Sequence, residues 1–162
     1  MDLTWITERI ALGGGIWNDG RMIELVRMDV THIIDLQIEF DDRPLAAPYG
    51  VQVLWNPLED DFQPKPVEAF RAGVEFAREA LTVADSKLYI HCAAGIHRAP
   101  MMTLAVVCDV LGWEMQAAMN TIQRLRPVVD FADVYVESVR EFLAASAARD
   151  AREISGPRRS RP

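Results

Sequence analysis

One cysteine and one arginine bracket five residues in the segment His91-Cys92-Ala93-Ala94-Gly95-Ile96-His97-Arg98-Ala99-Pro100. The segment leaves an apolar run, Leu88-Tyr89-Ile90, and enters a second apolar stretch of helical length. A loop that curls from a strand into a helix start turns successive backbone N–H groups inward, and the helix dipole adds positive potential. The residues from Ala93 to Arg98 therefore predict an anion nest of phosphate size. Gly95 supplies backbone angles that a side chain resists. The planar fork of Arg98 can grip two phosphate oxygens at once. Pro100 falls in the first helical turn, where a missing N–H costs little. The same field acts on Cys92. Thiols at helix N-termini beside cations ionise at roughly pH 3.5–7.5 instead of about 8.5. Cys92 is expected to be a thiolate at neutral pH, able to attack phosphorus and form a phosphocysteine. The bland alternative is a buried cysteine in a strand–helix turn, with Arg98 on the surface. His91, at the strand end, reads as structural, hydrogen-bonding to the loop and donating no proton to substrate.

The elements that must position this loop follow from the pattern around it. Short apolar runs alternate with helical patterns, which predicts one α/β domain with a central, mostly parallel sheet flanked by helices. Strands are expected at Ile10–Leu12, His32–Leu36, Val51–Leu54 and Leu88–His91, with a further short one near Trp5–Thr7. Helices are expected over Asp19–Met28, over Pro66–Val83 with Val67, Phe70, Val74, Ala77 and Leu81 on one face, and over Arg98–Leu111. The last is apolar all round and reads as central and buried, ended by Gly112. A helix over Glu114–Leu125 stops at Pro127, and Asp130 is placed to cap a final helix with Val134, Val139 and Phe142 in the core.

Composition narrows the class. The chain has 162 residues, 50% of them apolar and 25% charged, which fits one soluble domain with a real core. No run approaches the ~18 apolar residues of a membrane span, and the N-terminus lacks the features of a secretory signal. Two cysteines suggest no disulfide framework, so a reducing, cytoplasmic setting is expected. The net charge of -7 argues against a general nucleic-acid or anionic-membrane binder, so anion binding has to be local. The domain is expected over 1–148. From Arg149 to Pro162 the chain turns basic, with five arginines against two acids, and reads as a frayed tail or a docking tail. Three histidines and two cysteines show no metal-ligand spacing, and no metal or cofactor is expected.

The segment HCAAGIHRAP resembles the phosphate-binding loop of the protein tyrosine phosphatase superfamily, in its dual-specificity branch. ITERIALGG followed by VTHIIDLQIE resembles that branch's opening strands, and QRLRPVV its Arg-Pro stretch before the last helix. The resemblance implies a phosphorylated substrate, in the first place a phosphoprotein, and a two-step phosphate monoester hydrolysis. It implies a proton donor in NPLEDDFQPKPVEAF: matching Pro57, Glu59 and Phe70 to the family register puts the acid at Asp60, with Asp61 one residue away as the alternative. One departure stands out. The residue after the loop arginine is usually Ser or Thr, whose hydroxyl donates to the sulfur as it leaves; here it is Ala99. The same Ala-Pro ending occurs in the phosphatases of regenerating liver, which are prenylated; this chain ends SRP, which implies no lipid anchor. A charged hydrogen bond is worth about 1.5–3 kcal/mol, so a phosphoenzyme that breaks down roughly ten- to a hundredfold more slowly is expected.

Other readings stay open at this level. A non-catalytic phosphate-recognition module would keep the loop and lose turnover. A sulfur or arsenic enzyme with a similar loop is disfavoured because the acid precedes the cysteine. Gly13-Gly14-Gly15 lacks the lysine and spacing of a nucleotide loop and reads as a turn. His32 reads as a core histidine and Cys108 as core packing. His97 could face the pocket rim, and Arg126 could meet a second anion. Preference among phosphotyrosine, phosphoserine, phosphothreonine, phosphoinositide and RNA 5′-phosphate is not readable, nor is oligomeric state.

Overall fold

Period-two alternation along three parallel strands divides the core in two. Ile10 and Leu12, Ile34 and Leu36, and Leu88 and Ile90 face one apolar cluster, while Ala11, Ile33 and Tyr89 face the other. The computed structural model describes residues 1–156. In chain order the elements are β1 (Leu3–Trp5), β2 (Ile10–Gly13), α1 (Asp19–Arg27), β3 (His32–Gln37), α2 (Arg43–Ala46), β4 (Gln52–Leu58), α3 (Val67–Thr82), β5 (Leu88–His91), α4 (Arg98–Leu111), α5 (Met115–Leu125) and α6 (Asp133–Ser155). The five strands form one sheet in the order β1-β2-β5-β3-β4. Only the β1–β2 pairing is antiparallel, so the expected α/β architecture is the one found.

The larger cluster lies under α3, α4, α5 and α6; the smaller one is covered by α1 and α2. Helix α4 is buried from Arg98 through Val107, as its all-apolar sequence requires, and Gly112 ends it at φ 71°. Phe70, Val74 and Ala77 turn the predicted face of α3 into the core. Strand β5 is paired on both edges, which fixes the point from which the cysteine loop departs.

Three details differ from the sequence reading. The first strand lies at Leu3–Trp5, because the Thr7 hydroxyl accepts the N–H groups of Arg9 and Ile10 and makes residues 6–9 a turn. Strand β4 runs on to Leu58, which brings the acidic loop closer to the sheet. Helix α6 passes the expected boundary at residue 148 without a break: Arg149 pairs with Glu75 of α3 and Glu153 on its own helix, and the helix ends at Ser155. The rest of the basic tail, from Pro157, lies outside the described residues.

Candidate active site

The segment after β5 is held open from outside. The carbonyl of Ala93 accepts from Gly15 N at 3.0 Å and that of Ile96 from Asp130 N at 3.0 Å. Those of Ala94 and Gly95 accept from the Arg126 guanidinium at 3.2 and 3.0 Å. With four carbonyls turned outward, the N–H groups line the inside of the curl, at the N-terminus of α4. Gly95 has φ 64°, and a Cβ there would lie 2.5 Å from the Gly13 carbonyl carbon. The glycine is therefore required both by the turn and by the approach of β2. Cys92 is 2% exposed, and its Sγ accepts from Ala99 N at 3.4 Å.

Arg98 is 3% exposed. Its Nη1 and Nη2 donate to the two Glu39 carboxylate oxygens at 3.0 and 2.9 Å, and Nη1 also donates to Leu58 O at 2.9 Å. The same hydrogen bonds hold the Glu39 carboxyl below its usual range. Nε is buried and has no partner among the described residues. A buried cationic donor left unpaired costs at least about 1–3 kcal/mol, which an incoming anion relieves. One guanidinium edge is thus anchored and the Nε–Nη2 edge is available.

The loop after β4 brings Asp60 to the same place. Asp60 Oδ2 lies 3.0 Å from His97 Nδ1, and Oδ1 accepts from the Tyr135 hydroxyl at 3.0 Å. Burial pushes the Tyr135 phenol up to about 12, so it stays a donor. Asp61 turns away: Lys65 Nζ donates to it at 2.6 Å and, by that bond first, holds its carboxyl below the ordinary range. Phe62 links the parts, its ring stacked on Tyr135 at 5.7 Å and edge-on to His97 at 5.0 Å. Its φ of 54° is a left-handed conformation, costly for an aromatic residue and held here by those contacts.

Several roles differ from the sequence expectation. Asp130 does not cap α6, whose N-cap position is Ala132 with no side-chain bond; its carboxylate lies 3.3 Å from His97 Nε2 and its N–H holds the loop. Arg126 is 5% exposed and committed to the loop carbonyls and to a two-pronged pair with Asp2, at 2.7 and 2.8 Å. The Gly13-Gly14-Gly15 turn is a wall of the site, since a Cβ on Gly14 would meet Asp2 and the Ala93 carbonyl. Glu39, Asp42 and Tyr135 went unrecognised; acids in loops read as solvated, and only the fold brings them in.

His91 is fully buried, with Nδ1 3.4 Å from Cys92 O, Nε2 2.6 Å from Asp42 Oδ2 and 3.8 Å from Asp35 Oδ1. These are the acid and imidazole groups that could hold a metal ion. At 2.6 Å, however, the His91–Asp42 pair is closer than two ligands on one tetrahedral ion, about 3.3 Å apart for bonds of about 2.0–2.1 Å. As placed they leave no room for such an ion between them. A concavity of about 970 Å³ opens at the opposite end of the strands; Arg9, Lys87, Asp29 and Asp85 line it, with no cysteine or histidine.

A strand–loop–helix turn with a buried thiol and an anchored arginine has the shape and charge to hold an anion, and comparison with known proteins gives the family. Residues 18–144 match the family model for the dual specificity phosphatase catalytic domain, so the chain belongs to that family. It is 29% identical over 130 residues to mouse protein phosphatase Slingshot homolog 3, covering 80% of this chain and 19% of that protein. It therefore spans about a fifth of that relative's length. It is 30% identical over 80 residues to rat phosphatidylglycerophosphatase and protein-tyrosine phosphatase 1, covering 49% of this chain and 41% of the relative. The crystal structure of PTPMT1 superposes with a TM-score of 0.80 at 23% identity, covering 93% and 99% of the two chains. No helix among the described residues is long and apolar enough to cross a membrane.

Proposed function

We propose that this protein hydrolyses phosphate monoesters of proteins, on tyrosine or on tyrosine and serine or threonine, through a phosphocysteine. The Cys92 thiolate attacks phosphorus; the S–P bond forms as the P–O bond to the leaving group breaks, and Asp60 gives that oxygen its proton. Water, deprotonated by Asp60, then attacks the phosphocysteine, releasing phosphate and restoring the thiolate. Backbone N–H groups of Ala93 to Arg98 and the Nε–Nη2 edge of Arg98 stabilise the equatorial oxygens, so positioning and charge carry the rate. The observation that carries this reading is the buried, partnerless Nε of Arg98 beside the thiol, with Glu39 holding the far edge. Asp60 is favoured over Asp61 as the acid because Lys65 claims Asp61.

The resemblance to a relative named for phosphatidylglycerophosphate as well as protein tyrosine supports a second reading, a lipid phosphate. The net charge of -7 weighs against an anionic membrane surface. The test is hydrolysis of an aryl phosphate by wild type and Cys92→Ser with rapid mixing. Wild-type turnover abolished by the substitution supports the mechanism, and a burst that Ala99→Ser removes assigns the slow step to phosphoenzyme breakdown. Phosphate binding without turnover or burst would leave a recognition module instead.

A further inference from the structure

Near its end β3 carries Asp35, and the segment from there to α2 carries Glu39, Asp41 and Asp42. Asp35 accepts the N–H groups of Gln37 and Asp42, at 2.9 and 3.1 Å, and so folds this segment over the end of the sheet. Folded that way, it delivers Glu39 to Arg98 and Asp42 to His91, the two residues at the ends of the cysteine loop. Asp35, Asp42 and His91 have no exposed surface.

We propose that Asp42 is a positioning residue for the nucleophile, acting through His91. This rests on the reading of Cys92 as the nucleophile. The Asp42 carboxylate faces His91 Nε2 and the Cys92 carbonyl faces Nδ1. Opposite an ionised Asp42, a neutral ring would aim a lone pair at one of these acceptors, whereas the imidazolium turns an N–H towards both. The 2.6 Å approach is bent off the N–H line, so charge more than direction holds it. The other groups facing the ring are Asp35 from β3, the Tyr89 phenol stacked on it from β5 at 5.2 Å between ring centroids, and Cys92 itself. Tyr89 stays protonated, its phenol pushed well up by burial, and donates to Gly14 O. Asp42 thus holds a buried positive charge beside the residue that must stay anionic, and fixes the ring that supports its carbonyl.

The experiment is the rate of iodoacetamide alkylation of Cys92 against pH, with the modified residue identified by mass spectrometry. Burial pushes the Cys108 thiol up to about 11, which keeps it out of the signal. The near-isosteric Asp42→Asn keeps an acceptor and removes the charge. Its midpoint is expected to rise by about one pH unit, with alkylation below the midpoint about tenfold slower and the high-pH plateau unchanged. A folded Asp42→Asn whose curve superimposes on wild type would overturn the inference, since a purely structural role lowers the melting temperature without moving the profile. Should the variant fail to fold, nitrogen NMR of wild-type His91 decides. Protons on both ring nitrogens at pH 7 support the inference, and a bare ring nitrogen refutes it. A wild-type Cys92 alkylated only in the ordinary thiol range, about pH 8.5, would sink the nucleophile reading itself.

Discussion

At the scale of the residue, the site separates two neighbouring acids by the company each keeps. Asp60 is turned to His97 and Tyr135 beside the loop, while Asp61 is bound by Lys65. Asp60→Asn is expected to lower kcat on a substrate with a poor leaving group by about 10²–10⁴-fold, the usual worth of a positioned general acid. On an activated aryl phosphate, which needs no proton, the loss should shrink. Asp61→Asn should keep most activity. Steady-state kinetics on both substrates would show it, and a large loss in Asp61→Asn with Asp60→Asn near wild type would exchange the assignments. The loop was legible at this scale because Cys92, Gly95 and Arg98 lie within one short stretch of chain. Their partners were not: Glu39 reaches Arg98 across 59 positions, and Asp60 meets Tyr135 across 75.

At the scale of the element, helices α3 and α4 were readable because their apolar spacing is imposed by burial against a sheet. The β3–α2 segment was not, since its organiser is a buried carboxylate that looks like any polar residue at a strand end. Burial chiefly, with Asp42 adding, pushes the Asp35 carboxyl up to about 6 from 3.8. The folded state therefore binds the Asp35 proton more tightly than the unfolded chain does. Its contribution to stability is complete below about pH 4 and is lost as pH rises through about 6, on the order of 3 kcal/mol in all. Asp35→Asn should flatten that part of the curve of melting temperature against pH, relative to wild type. A wild-type curve that rises monotonically over this range, unchanged in the variant, would count against it.

At the scale of the whole molecule, the candidate site lies at one end of the parallel strands, where the loops after β2, β3, β4 and β5 converge. That convergence follows from the strand order, with β5 between β2 and β3. The α/β class was legible from the sequence, whereas the order of strands was not. The rim carries exposed aromatic residues, Trp17 at 40% and Phe62 at 48%, both with left-handed backbone. Phe62 packs between Tyr135 and His97, so Phe62→Ala should raise KM for an aryl phosphate by about 2–10-fold, the worth of one aromatic contact. An alkyl phosphate should be affected less. Equal effects on both substrates would mean that Phe62 only props the loop.

The contact between Gly95 and Gly13 has a consequence for descent. Backbone meets backbone there, so no rotamer change elsewhere can make room for a methyl group. Gly50 and Gly112 have the same left-handed backbone with open space around them, and drift at those positions can pass through asparagine. A descendant that keeps the cysteine but replaces this glycine must first move the loop away from β2.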